Sequence, residues 1–177
     1  MNYLGIDKAS ISNGPGVRVV LWVSGCSVQC KGCQNPESWD FCAGKLFDND
    51  AKQELFDALS KPYIQGITIS GGHPFENQNV EDVYLLIKEI KNKFPTKNIW
   101  LYTGYTWEYI FPKICLDVFN INNVYRKEAA KMCDVIVDGP YIEEQRDITL
   151  KFRGSKSQRL INVQETLKQS KIITIQN

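Results

Sequence analysis

The sequence predicts an α/β fold in which a parallel sheet forms an open, partial β/α barrel. Three observations predict it. Strand-like and helix-like stretches alternate, four of the strand-like stretches run straight into glycine-containing loops, and 177 residues fall short of the ~250 that a closed eight-unit barrel takes. Such alternation favours right-handed parallel crossovers, which bring the carboxyl ends of the strands to one edge, where these folds collect their ligands. The length fits a single domain spanning 1–177.

Taken in order, residues 5–16 close on Asn13-Gly14-Pro15-Gly16 and read as a loop, because the glycines supply turn geometry. Val17-Arg18-Val19-Val20-Leu21-Trp22-Val23 is almost continuously apolar and β-branched, the pattern of a strand covered on both faces. It feeds Ser24-Gly25 and then a cysteine-rich loop. From Gln34-Asn35-Pro36 through Trp39 to Cys42 no period is visible. Asp50 is placed to cap a helix running to Leu59, with Leu55, Phe56 and Leu59 facing a core and Pro62 beyond its end. Gly66-Ile67-Thr68-Ile69-Ser70 is a second strand, leading into Gly71-Gly72-His73-Pro74. Asn79 caps the next helix, whose first turn holds Glu81 and Asp82 and whose Val80, Val83, Ile87, Ile90 and Phe94 recur at helical steps before Pro95.

Asn98-Ile99-Trp100-Leu101-Tyr102 is a third strand running into Thr103-Gly104-Tyr105, and 107–111 is a helical turn ended by Pro112. Within 113–133 the pattern is mixed: 126–132 is compatible with helix, and Cys115 and Cys133 read as core residues. Val135-Ile136-Val137 is a fourth strand, ending at Asp138-Gly139-Pro140. Residues 164–170 read as polar helix and Ile172-Ile173-Thr174-Ile175 as a final edge strand.

Hydrophobic residues at 43% and charged residues at 23% are ordinary values for a globular chain. With 21 basic and 20 acidic side chains the formal charge is +1, which provides no footprint for nucleic acid or an anionic membrane. Met1-Asn2-Tyr3-Leu4 opens without a basic stretch followed by an apolar run, and no segment reaches the length of a membrane span, so a cytoplasmic location without a membrane partner is expected. In that reducing compartment the six cysteines stay thiols or metal ligands.

The chemistry concentrates in Cys26-Ser27-Val28-Gln29-Cys30-Lys31-Gly32-Cys33, at the same carboxyl edge as the glycine loops. Its polar and glycine neighbours make a poor apolar face, so packing is a weak account of three thiols. Structural zinc and electron-transfer clusters normally take four protein ligands, so three leave one metal position open for a water, substrate or cofactor. Cys42, separated from Cys33 by eight residues, reads as a spare thiol. His73, the single histidine, reads as a polar loop residue without an assigned role. Lys151, Arg153, Lys156 and Arg159 read as a solvated charged face, in a segment that equally suits a place beside a cofactor or partner.

The Cys-x3-Cys-x2-Cys spacing resembles the signature of the radical S-adenosylmethionine (SAM) enzymes, in which the open iron of a four-iron cluster is chelated by the amino acid end of SAM. Six runs in order then resemble the activating enzymes of anaerobic ribonucleoside-triphosphate reductase. They are Asn13-Gly14-Pro15-Gly16, the loop 26–33 with Asn35 and Trp39, Ser70-Gly71-Gly72, Thr103-Gly104-Tyr105, Val137-Asp138-Gly139 and Arg153-Gly154-Ser155.

The resemblance implies the radical SAM form of the partial barrel and one 4Fe-4S cluster on Cys26, Cys30 and Cys33. It implies SAM with its adenine against the backbone of Gly32, Cys33 and Gln34, and its methionine ammonium on the backbone of Gly71 and Gly72. It further implies reductive cleavage of SAM and a glycyl radical on the large reductase subunit, with a one-electron donor not identified and no acid-base pair required of this chain. Glycine at 32 suits close backbone approach. The chain departs from the pattern at His73, where the superfamily commonly has an acid, at Gly32, where it often has an aromatic residue, and at Ser157, where the family run has Asn. Two other readings stand beside this one: a small radical SAM enzyme acting on a metabolite, similar to the deazaguanine synthases, and a non-enzymatic iron-sulfur electron carrier that adds Cys42 as fourth ligand.

Overall fold

The apolar run after Gly16 forms a strand buried on nearly its whole length, and the sheet is built out from it on both sides. The computed structural model describes residues 1–113 and 120–175. Its elements are β1 (Asn2–Ser10), β2 (Arg18–Val23), β3 (Lys45–Leu46), α1 (Asn49–Leu59), β4 (Gly66–Gly71), α2 (Val80–Lys93), β5 (Asn98–Tyr102), α3 (Trp107–Ile110), α4 (Ile121–Met132), β6 (Val135–Asp138), β7 (Arg159–Asn162) and α5 (Val163–Gln169). Among the described residues the strands make one open seven-stranded sheet in the order β3-β1-β2-β4-β5-β6-β7.

The four strands read from sequence form its parallel centre, with Val19 beside Ile67, Ile67 beside Ile99 and Leu101 beside Ile136. The flanks correct the all-parallel expectation: β1 runs antiparallel to β2, β3 to β1, and β7 to β6. The sheet is therefore mixed as well as open. β1 occupies much of the segment expected as a loop. Its register shifts between Tyr3 and Gly5 and again between Asp7 and Ser10, and these irregularities break the two-residue alternation by which a strand is recognised. Of the expected strand at 172–175, the ladder retains a single bridge between Thr174 and Ile161.

Helix boundaries moved for identifiable reasons. Asp48, not Asp50, caps α1, its side chain accepting from Ala51 N at 2.9 Å. α4 begins at Ile121, ahead of the stretch expected from 126, and α5 matches the polar helix expected at 164–170. Cys133 is a core residue, while Cys115 lies outside the described residues. No helix among the described residues is long and apolar enough to cross a membrane.

The helices bury their apolar faces against one side of the sheet. Leu55, Ile87 and Ala129 pack with Val19, Leu21, Ile67, Ile69, Ile99 and Ile136 in a single cluster. The other side carries a smaller cluster, Trp100, Val135, Val137 and Leu160, with Tyr102 and Phe152 against it.

Arg18 belongs to this second side and is 0% exposed. It donates from Nε to Thr68 Oγ1 at 2.9 Å, from Nη1 to Asn98 Oδ1 at 2.6 Å and Pro15 O at 3.3 Å, and from Nη2 to Ile67 O at 2.8 Å. All four acceptors are neutral, and burial lowers the guanidinium pKa to about 10. Thr68 in turn donates to Asn13 O at 2.6 Å, so the Asn13-Gly14-Pro15-Gly16 run is the strap that closes over a buried cation. Gly14 has φ +137°, and a Cβ there would stand 2.8 Å from Arg18 Nε. Replacing Arg18 by Ala strands these acceptors and opens a cavity. Arg18→Ala is expected to cost roughly 3 kcal/mol, read from the urea midpoint; a loss below about 1 kcal/mol would show that the strap holds without it.

Candidate functional site

Strands β2, β4, β5 and β6 deliver their following loops to one edge. Their backbones are joined directly: Gly25 N donates to Ser38 O at 2.7 Å, Cys26 N to Trp39 O at 3.1 Å, Gly72 N to Val23 O at 2.7 Å, and His73 N to Gly25 O at 2.8 Å. Between these loops and the 146–154 segment lies a cavity of about 480 Å³. It is on the side of the sheet away from the helices, since Trp22, Ser70, Tyr102 and Phe152 border it.

Cys26, Cys30 and Cys33 all border this cavity and are free, half-buried thiols, whereas Cys42 is exposed. The loop coils so that Cys33 N donates to Cys30 O at 3.0 Å, with Gln29 at φ 45° and Gly32 at φ 73°. Asn35 N approaches Cys33 Sγ at 3.4 Å. Burial pushes the Cys26 and Cys30 thiols up, although nearby backbone donors oppose it. A metal binding here must therefore displace protons.

Gln34, Gly71 and Gly72 also border the cavity; Gly32 does not, and its missing side chain would point at Glu143 Oε2, 2.0 Å away. The glycine pair has a reason beyond close ligand approach. A Cβ on Gly71 would lie 2.6 Å from Val23 O, and one on Gly72 would lie 2.7 Å from Gly25 O. The pair is small because two loops pass against each other.

His73 and Glu76 form a centre that sequence reasoning did not find. Glu76 is 6% exposed and accepts from Ser27 N at 2.9 Å and Ser27 Oγ at 2.5 Å, with His73 Nδ1 at 3.2 Å. Burial alone would raise this carboxyl, but hydrogen bonds from His73 and from both Ser27 donors outweigh it and bring the pKa to about 2. An ionised carboxylate only accepts, so Nδ1 carries the proton. His73 is 1% exposed, its Nε2 lies 2.7 Å from Thr103 Oγ1, and its ring meets Tyr105 edge-on at 4.2 Å.

Asn79 occupies the N-cap position of α2 without a side-chain cap bond. Instead its amide donates to Ser24 O at 2.8 Å and His73 O at 3.2 Å. The available signal was an acid three residues after the histidine, just ahead of a helix start.

Ligand atoms of Cys26, His73 and Glu76 lie within 4.8 Å of one another, close enough for a single ion. Both imidazole nitrogens and the carboxylate already have protein partners, however. The donors bordering the cavity in number are the three loop thiols, a set that suits a multi-iron cluster with an open corner.

In the segment around Lys151, Arg153, Lys156 and Arg159, both lysines are exposed as a solvated face has it, while the stretch between them is built against the cavity. Arg153 and Gly154 border the cavity, and Gln158 Oε1 accepts from Gly154 N at 2.9 Å and Ser155 N at 3.2 Å. Arg159 grips Asp138, with Nε donating to Oδ1 at 2.9 Å, and reaches Glu108 Oε2 at 2.8 Å. That contact with Arg159 holds the Glu108 carboxyl down to about 2. Among the described residues, the buried side-chain donors without a partner include Trp39 Nε1 and Arg153 Nε, and both residues border the cavity. Buried polar groups are normally satisfied, so two such donors beside one cavity fit a ligand rich in acceptors.

The family model described as a 4Fe-4S single cluster domain matches residues 12–161. The anaerobic ribonucleoside-triphosphate reductase-activating protein of Enterobacteria phage T4 is 41% identical over 160 residues, covering 90% of this chain and 93% of that protein. The proteins of the same description from Haemophilus influenzae and Escherichia coli K12 are 38% and 34% identical over 162 and 160 residues, each covering 89% of this chain and 96% of its own length. The matched stretch takes in the cysteine loop, the glycine pair and the segment bordering the cavity, and on that evidence the chain belongs to the family of anaerobic ribonucleoside-triphosphate reductase-activating proteins.

Proposed function

We propose that this protein is a radical SAM activase which generates a glycyl radical on the large subunit of an anaerobic ribonucleoside-triphosphate reductase. The observation that carries this reading is the meeting of three free thiols and two unpartnered buried donors on one cavity at the carboxyl edge of a parallel sheet. A cavity of about 480 Å³ suits a cofactor-sized molecule. The mixed, open sheet is read as the partial barrel of the radical SAM type, with β2, β4, β5 and β6 as its parallel staves.

Cys26, Cys30 and Cys33 would hold one 4Fe-4S cluster, their count leaving a corner for SAM. When bound, that pair supplies the hard chemistry, reductive cleavage of SAM to methionine and a 5'-deoxyadenosyl radical that abstracts hydrogen from a glycine α-carbon. The chain itself binds and orients. Carbonyls of Gly71 and Gly72 are acceptors for the methionine ammonium, and the backbone of Cys33 and Gln34, which border the cavity, is the adenine's resting place, with Gly32 set back from it. Trp39 Nε1 and Arg153 Nε offer donors to the cofactor's acceptor atoms. Ile148, 87% exposed, borders the cavity and gives its open side an apolar contact for an entering protein loop. An unidentified one-electron donor completes the scheme, in the cytoplasm and without nucleic acid.

Cys26→Ala, Cys30→Ala and Cys33→Ala are each expected to abolish the intact cluster and SAM cleavage, while exposed Cys42→Ala leaves both in place. Iron content and visible absorbance after anaerobic reconstitution measure this; full loading in any of the first three variants, with cleavage retained, would sink the ligand assignment. Gly72→Val pushes a side chain into the Gly25 backbone. It should therefore lower cluster loading together with SAM affinity, and a variant that loads fully while losing only SAM would restrict Gly72 to the cofactor. Finally, reduced enzyme, SAM and the reductase subunit mixed anaerobically should give a glycine-centred radical in electron paramagnetic resonance (EPR) with 5'-deoxyadenosine released. Turnover of a small metabolite with the subunit left radical-free would replace the activase by a metabolite enzyme.

A further inference from the structure

We infer that Glu76 is a positioning residue for Cys26 and sets how readily a cluster bound there accepts an electron. This rests on the activase reading and extends it to a residue outside the cysteine motif. Glu76 lies in the turn before α2, and its backbone is fixed there, with Glu76 N donating to His73 O at 3.1 Å and Val80 N to Glu76 O at 2.9 Å. From that anchored position its carboxylate reaches Ser27, the residue next to Cys26, through both the backbone N–H and the hydroxyl. The Cys26 sulfur and a Glu76 carboxylate oxygen are within 4.8 Å. A buried anion is thus clamped beside one corner of the proposed cluster.

Among the described residues, the groups around that anion partner it without placing an arginine or lysine at contact distance. His73 faces it from the glycine loop. Tyr105 faces it from the loop after β5, with a hydroxyl pushed up to about 12, first by burial and then by Glu76 itself. Arg126 of α4 stands over the Tyr105 ring at 5.4 Å, and its own donors are committed to Phe75 O at 2.8 Å, Asn123 Oδ1 at 2.7 Å and Asn77.

Reduction adds one negative charge to a cluster, and a neighbouring anion in a poorly solvated site opposes that addition. The carboxylate therefore lowers the potential and makes the reduced cluster a stronger electron donor. Shape and charge are separable here, because Gln can accept the same Ser27 bonds without the charge.

The test compares reconstituted wild type, Glu76→Gln and Glu76→Asp, without SAM or reductase. Iron and sulfide content report loading, and a mediator titration followed by EPR reports the potential. Glu76→Gln should favour reduction at least tenfold, which is 59 mV for one electron, whereas Glu76→Asp should stay within threefold of wild type. A Glu76→Gln protein that folds without loading, beside a Glu76→Asp protein that loads at the wild-type potential, also supports the assignment, since the retained charge is what rescues it. A fully loaded Glu76→Gln with unchanged potential overturns it, and so does failure of both variants to load. Wild type that takes up no 4Fe-4S cluster would overturn the activase reading itself.

Discussion

The carboxyl edge depends on how closely the loop after β4 passes the loop after β2. With no Cβ on Gly72, its backbone can lie against that of Gly25, and the two loops exchange hydrogen bonds through Gly72 N, His73 N and their partners Val23 O and Gly25 O. Two side chains from the start of α2 then reach back across the same gap. Asn79 gives up the side-chain cap of its own helix, a bond worth about 1 kcal/mol, to hold Ser24 O and His73 O. Glu76 takes Ser27. The cysteine loop is irregular in backbone yet held from several directions, which is what a set of ligands needs if they are to wait in place for a metal.

Two arginines show different ways of holding a cation in place. Arg18 is solvated by neutral oxygens from three separate segments, so it organises the Asn13-Gly14-Pro15-Gly16 strap without a counter-ion. Arg159 is paired with Asp138 and Glu108, and Asp138 also accepts from Trp107 N at 2.7 Å. That second arrangement ties β6, β7 and α3 together just below the cavity. All six motif runs place residues on the cavity, and two of them, 13–16 and 137–139, are also braced from behind by these arginines.

Much of the centre of the fold was legible in the sequence, because strands covered on both faces are continuously apolar and α2 keeps a strict helical period. β1 was hidden by its register shifts and half-exposed surface. β7 was hidden by brevity, four residues entered through Arg159 in a charged stretch. In the site, cysteine spacing made the three thiols visible. The roles of His73 and Glu76 were not visible, since Glu76 meets Ser27 across 49 positions of chain. The resemblance marks Gly71 and Gly72 as backbone acceptors for a cofactor, and what the structure packs against both is protein backbone.

That separation of 49 positions also imposes an order on synthesis. At ~5–20 residues per second, the ribosome releases the thiols roughly 2.5–10 seconds before the carboxylate that clamps their loop. For most of that interval the cysteine loop lacks β4 beside it, and for all of it α2 behind it, and parallel pairing of β2 with β4 cannot begin until the intervening chain has emerged. Under the proposed ligand assignment, delivery of iron and sulfide to a formed site belongs after translation has passed α2.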